Sequence, residues 1–116
     1  MSETQFGSSR EDLEKYATVF ADGLFAGKTV VVTGAGGGLG LAIAALFARL
    51  GANLAVNGRN EEKLASAREF LEGLGSRVFA MPMTIRDHEQ VKEFIGAANR
   101  EFGSVDVLVN NAGGQF

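Results

Sequence analysis

The sequence predicts an α/β fold in which a parallel sheet is covered by helices on both faces, and three observations predict it. Val30, Val31 and Val32 are consecutive β-branched residues that lead directly into a glycine-rich stretch, as expected of a strand buried on both sides rather than wetted on one. Leu39, Ile43, Leu46, Phe47 and Leu50 then recur at i, i+4, i+7, i+8 and i+11, a helical stripe. Beyond Gly51, short apolar runs and longer helical patterns keep alternating to the end of the chain, which gives βαβαβαβ.

Composition narrows the functional classes. The 116 residues suit one domain, their 46% hydrophobic content suits a globular core, and no run approaches the roughly 18 apolar residues of a membrane helix. A net charge of −3 gives a nucleic-acid partner little electrostatic support. With no cysteine in the sequence, disulfide and thiolate chemistry are excluded. The first residues lack a basic segment followed by an apolar one, so no secretory signal is expected and the cytoplasm is the expected location. Neither a membrane nor a nucleic acid is an expected partner.

In chain order, residues 1–27 read as an N-terminal tail and a short helix. Met1 to Arg10 is small and polar, while Glu11 to Phe20 places Leu13, Tyr16, Val19 and Phe20 on one helical face. Leu24 and Phe25 are apolar enough to pack beneath the sheet. From residue 28 the strands and helices begin. The valine strand runs into a helix that starts near Gly38 and is stopped by Gly51, and Asn53 to Asn57 forms the second strand. Asn60 is a natural N-cap with Glu61 and Glu62 behind it, Leu64, Ala67, Leu71 and Leu74 carry the next apolar face, and Gly73 and Gly75 end it. Arg77 to Met83 is a third strand containing Pro82, which belongs on a sheet edge. Asp87 and Gln90 suggest a capping box before Val91, Phe94, Ile95, Ala98 and Phe102, with Gly103 as terminator and Val105 to Asn110 as the fourth strand. Right-handed crossovers give the strand order 3-2-1-4, with Pro82 on the outer strand.

The glycine loop is the candidate binding element. Gly34, Gly36 and Gly40 fit Gly-x-Gly-x-x-x-Gly, and Thr33, Gly34, Gly38 and Gly40 fit Thr-Gly-x-x-x-Gly-x-Gly. Missing side chains let a pyrophosphate approach backbone N–H groups, and the helix behind the loop adds its positive dipole end. Such turns also serve close helix packing. Here the loop follows a strand, opens a helix and precedes, by about 20 residues, the end of a second strand, where a dinucleotide ribose would lie. That strand ends Val56-Asn57-Gly58-Arg59. A carboxylate there would bond a ribose 2′-hydroxyl, whereas the Arg59 guanidinium suits a 2′-phosphate, so NADP(H) is favoured over NAD(H). A solvated surface arginine is the other reading of Arg59. Tyr16 reads as a packing residue, and His88, the sole histidine, as a surface residue in a helix first turn.

Together these motifs resemble the N-terminal half of the short-chain dehydrogenase/reductases. Thr33-Gly34-Ala35-Gly36-Gly37-Gly38-Leu39-Gly40 is similar to that family's cofactor loop, and Asn110-Asn111-Ala112-Gly113 to its Asn-Asn-Ala-Gly signature, about 75 residues further on. The resemblance implies an incomplete Rossmann-type fold. It also implies cofactor contacts from Thr33, Gly34, Gly36, Gly37, Gly38, Leu39 and Gly40, and from Asn110, Ala112 and Gly113 on the adenosine side. Where the family carries an aspartate for the adenine amino group, this chain has Thr84, whose hydroxyl can still accept, with the Ile85 backbone beside it.

The family's catalytic Ser, Tyr and Lys, the last two spaced Tyr-x-x-x-Lys, have no counterpart here, because four residues after Tyr16 stands Phe20. The chain is therefore expected to be a fragment, inactive alone, of an enzyme that moves hydride between a nicotinamide and a small-molecule substrate, and to form a homo-oligomer when complete. A noncatalytic nucleotide-binding or interaction module is the alternative. The leader Asp22 to Lys28, the Ile85 to Val91 segment and Asn110 to Phe116 are similar to peroxisomal trans-2-enoyl-CoA reductases and to bacterial citronellol/citronellal dehydrogenases.

Overall fold

A computed structural model describes residues 9–111. The elements are α1 (Arg10–Lys15), β1 (Thr29–Val32), α2 (Gly38–Arg49), β2 (Asn53–Gly58), α3 (Glu61–Gly73), β3 (Val78–Pro82), α4 (His88–Phe102) and β4 (Val107–Val109). The four strands form one parallel sheet in the order β3-β2-β1-β4. Val30 sits opposite Leu54 on one side and Val107 on the other, and Leu54 opposite Val78. The alternation, the strand order and the edge position of Pro82, opposite Gly58, are as the sequence predicts.

Because side chains alternate across a strand, consecutive valines feed two cores. Val30 and Val32 point with Leu54 and Val56 into a cluster completed by Leu41, Ala44, Ala45 and Ala48 of α2 and Leu64, Ala67 and Leu71 of α3. Val31 and Ala55 point the other way, onto Met83 and onto Phe94 and Ala98 of α4. Phe94 stacks on Phe79 with ring centroids 6.1 Å apart. The sheet is thus wound on both faces, by two helices on one and by α4 on the other.

Several elements differ from their expected form. The stripe from Leu39 to Leu50 is only in part the buried face: Leu50 is buried and Ile43 and Phe47 pack at the margin of the core, but Leu39 is 70% exposed and the buried side chains within α2 are Leu41, Ala44, Ala45 and Ala48. Methyl side chains let the helix lie close to the sheet, so the larger residues flank the contact. The first helix spans Arg10–Lys15 rather than Glu11 to Phe20: Ser9 and Asp12 form a capping box, and Tyr16 leaves helical geometry at ψ 135°. Arg10 is therefore helical rather than part of a tail. Arg49 of α2 donates to the carbonyls of Leu13 and Tyr16, taking up acceptors that the short helix leaves free. Tyr16 is 53% exposed and Val19 96% exposed, so neither packs as expected. Phe25 does pack, edge-on to Phe47 at 4.9 Å, while Leu24 stays half exposed. The outer strands are shorter than read, Val78–Pro82 and Val107–Val109.

The β1–β4 pairing begins at an acidic clamp. The Asp106 N–H donates to the Thr29 carbonyl at 2.9 Å, and its carboxylate accepts from the Thr29 N–H at 2.8 Å and from the Ser104 hydroxyl at 3.0 Å. The Thr29 N–H, then Ser104, hold the Asp106 carboxyl below its ordinary value of 3.8 against an opposing push from desolvation, with Lys28 adding the weakest pull. A depressed carboxyl stabilises the fold above its unfolded-state pKa, and that contribution is lost as pH falls through the folded-state value. Asp106→Asn is therefore expected to be less stable than wild type at neutral pH and to close the gap in acid. Urea melts above about pH 5 and below about pH 3 check this; a gap independent of pH would refute the clamp.

Candidate functional site

The site lies at the C-terminal ends of β1, β2 and β4. Strand order reverses between β1 and its two neighbours, and at such a switch point an open α/β sheet leaves a crevice. After β1 the chain turns at Gly34 with φ +70° and enters α2 through Gly38 with φ +58°, conformations that glycine adopts without strain. A side chain added at Gly40 would place its Cβ 2.0 Å from the Gly34 carbonyl oxygen. Gly40 therefore closes the helix onto the loop, which is the packing reading of that glycine. At Gly37 and Gly38 an added Cβ would meet nothing within 4 Å among the described residues, so none of these crowds this part of the loop. Gly36 lies against Lys63 of α3, with its virtual Cβ 3.5 Å from the Lys63 Cβ.

The start of α2 differs in kind from the other described helix starts. Ser9, Asn60 and Asp87 cap α1, α3 and α4 with their side chains, and each first turn carries acidic residues. By contrast, α2 begins at Gly37 with no side-chain cap and no acidic residue in its first turn. The first N–H groups of a helix are unsatisfied donors at its positive end, and here the N-cap position, a glycine, has no side chain to cap them. Donors of this kind, with no described residue crowding Gly37 and Gly38, fit the phosphates of a nucleotide cofactor.

Two asparagines, one buried and one half-buried, hold the loop. Asn57, near the end of β2, is 1% exposed; its Oδ1 accepts from the Gly34 N–H at 2.9 Å and its carbonyl from the Ala35 N–H at 2.9 Å. From beyond β4, the Asn111 N–H donates to Thr33 Oγ1 at 2.8 Å, and Asn111 Nδ2 donates to the Gly34 carbonyl at 3.3 Å. The Thr33 N–H bonds the Val109 carbonyl at 3.1 Å, and Thr33 Oγ1 lies 3.5 Å from Asn110 Oδ1. Thr33 thus lies beside Asn110, and Gly34 beside Asn111. Ala112 and Gly113 lie outside the described residues. Asn57 and Asn111 were not singled out by sequence reasoning; an asparagine after Leu54-Ala55-Val56 was the available signal for the first.

Arg59 follows β2 directly and is exposed, and among the described residues it has neither an ion-pair nor a hydrogen-bond partner. Thr84 follows β3, half buried. Its hydroxyl accepts from the Arg86 N–H at 3.3 Å, and its N–H donates to Gln90 Oε1 at 3.3 Å. Gln90 therefore does not return to the Asp87 backbone, and the expected capping box is only half made: Asp87 accepts from the Glu89 and Gln90 N–H groups at 2.9 and 3.2 Å. Ile85 and His88 are exposed. No three His, Asp or Glu side chains among the described residues are placed to hold a metal, and no described helix is long and apolar enough to cross a membrane.

The family model for short chain dehydrogenases matches residues 28–116. The chain belongs to the short-chain dehydrogenase family. It is 31% identical over 107 residues to the peroxisomal 2,4-dienoyl-CoA reductase of Danio rerio, covering 91% of this chain and 36% of that one. A solved citronellol catabolism dehydrogenase of Pseudomonas aeruginosa PAO1 is similar with TM-score 0.80 and 38% identity, over 86% of this chain and 42% of that chain. Solved relatives differ in cofactor. A xylitol dehydrogenase is NAD+-bound (TM-score 0.76, 36% identity, 79% and 35% covered), and an actinorhodin polyketide ketoreductase variant is with NADPH (TM-score 0.72, 33% identity, 75% and 33% covered). This short-chain dehydrogenase chain spans 38%, 34% and 36% of three curated relatives that it matches.

Proposed function

We propose that this chain is the NADP(H)-binding portion of a short-chain oxidoreductase, with residues 28–116 as the first half of its dinucleotide-binding domain and residues 1–27 as a tail and short helix. One observation carries the reading: an uncapped helix start behind a glycine loop, with an unpaired arginine at the neighbouring strand end. In this reading Thr33, Gly34, Gly36, Gly37, Gly38, Leu39 and Gly40 surround the pyrophosphate, and Arg59 takes the 2′-phosphate. Thr84 and Ile85 flank the adenine, with Asn110, Ala112 and Gly113 on the adenosine side. The bound nicotinamide would supply or accept the hydride. The substrate of the complete enzyme is a small carbonyl, alcohol or enoyl thioester, and the 116-residue chain is inactive alone in this reading. The complete protein is read as a cytoplasmic homo-oligomer.

Arg59→Asp tests the cofactor assignment. A charge-assisted contact to phosphate is worth about 1.5–3 kcal/mol, so NADPH affinity is expected to fall by roughly 10- to 100-fold while NADH affinity changes little. Titration of both nucleotides into wild type and variant decides it. NADPH preference that survives the substitution would sink the 2′-phosphate assignment. Dehydrogenase turnover by the 116-residue chain alone would overturn the view that it is inactive by itself.

A further inference from the structure

We infer that Asn57 is a positioning residue for the cofactor loop, one that sets the loop's shape without touching the cofactor. This rests on the nucleotide reading of the site and adds the group that prepares it. Gly34 is gripped on both sides, through the peptide that precedes it and the peptide that follows it. Asn57 Oδ1 takes its N–H at 2.9 Å and Asn111 Nδ2 reaches its carbonyl at 3.3 Å, while Ala35 N–H bonds the Asn57 backbone at 2.9 Å. At φ +70° Gly34 is where the chain leaves β1 for the loop, so the direction of those peptides aims everything up to Gly40.

The other half of the same amide reaches away from the loop. Asn57 Nδ2 lies 3.6 Å from Met83 Sδ, and the Met83 N–H donates to the Gly58 carbonyl at 2.9 Å. Thr84 and Ile85 follow Met83 directly. One buried amide therefore spans the glycine loop and the segment beside the proposed adenine pocket. Sulfur is a weak acceptor, so the Gly34 bond is the stronger of the two. A valine in its place would extend Leu54-Ala55-Val56 without desolvating an amide, a burial that costs free energy unless its bonds repay it. The repayment is at Gly34, in the shape of the loop.

Asn57→Leu keeps the approximate volume and removes the acceptor, whereas Asn57→Asp keeps an acceptor oxygen. Three readouts on the full chain separate positioning from general support: thermal midpoint, exchange of the Gly34 amide proton, and affinity for NADPH against 2′-AMP, which carries no pyrophosphate. In Asn57→Leu the Gly34 amide is expected to exchange at least about tenfold faster and NADPH to bind about tenfold more weakly, the size of one hydrogen bond. The 2′-AMP affinity should stay within about twofold, and Asn57→Asp should retain Gly34 protection. Unchanged Gly34 exchange, or equal losses for both nucleotides, overturns the inference. If Asn57→Leu does not fold, loss of Gly34 protection in Asn57→Asp overturns it instead. Failure of the underlying reading looks different, because wild type itself would then bind neither NADPH nor 2′-AMP, and the affinity claim would fall with it.

Discussion

Gly40→Ala is expected to destabilise the chain strongly and, if the proposed site is right, to weaken nucleotide binding with it. The added Cβ would stand 2.0 Å from the Gly34 carbonyl oxygen, 2.8 Å from the Gly34 carbonyl carbon and 2.7 Å from Asn111 Nδ2. Two of those three atoms are backbone and cannot rotate away. The helix must retreat from the loop, and the Asn111–Gly34 bond that closes the site must break. Overpacking of this kind costs about 3 kcal/mol or more, which for a domain of this size lowers the melting temperature by roughly 10 °C or more. Gly36→Ala is the matched control, since its Cβ would meet Lys63 at an ordinary 3.5 Å. Thermal melts of both variants settle the point, and a Gly40→Ala chain that melts with wild type would refute the geometry.

Phe94→Ala should be the most damaging truncation on the opposite face. Only α4 covers that side of the described sheet, and Phe94 and Ala98 are its fully buried residues. Phe94 is 1% exposed and stacks on Phe79. Removing a buried ring costs about 3–5 kcal/mol, and with few neighbours able to collapse into the space the upper half of that range is expected. Equilibrium urea denaturation reads the change, with Val19→Ala, at a 96% exposed position, as the comparison expected within about 0.5 kcal/mol of wild type. A loss below about 1 kcal/mol for Phe94→Ala would mean that α4 is not held by this contact.

The sequence carried the sheet because its order follows from alternation and handedness, and because Pro82 could sit only at an edge. The loop was legible for a similar reason: Gly34 and Gly38 need φ values that few other residues accept. What escaped the sequence has its own physical cause. Periodicity weights large apolar residues, so the stripe from Leu39 to Leu50 concealed that α2 meets the sheet through alanines. The first helix looked longer because Val19 and Phe20 continue its spacing, yet they find no core to cover them. Asn57 and Asn111 act on Gly34 from positions 23 and 77 residues away along the chain, and although Asn111 stands inside a legible motif, neither contact is encoded by a local pattern.

The alanine face of α2 also acts as a spacer of fixed thickness. Ala44, Ala45 and Ala48 carry no torsions by which a side chain could yield or swell, so the standoff between helix axis and sheet is set by single methyl groups. The donors at the head of α2 consequently stand at a fixed height over the strand ends beneath them. A ligand bound as proposed would inherit its registration from that thin layer, well away from any atom that touches it. Enlarging one of those methyls would shift the donors along with the helix, leaving every residue of the loop chemically intact but misaligned.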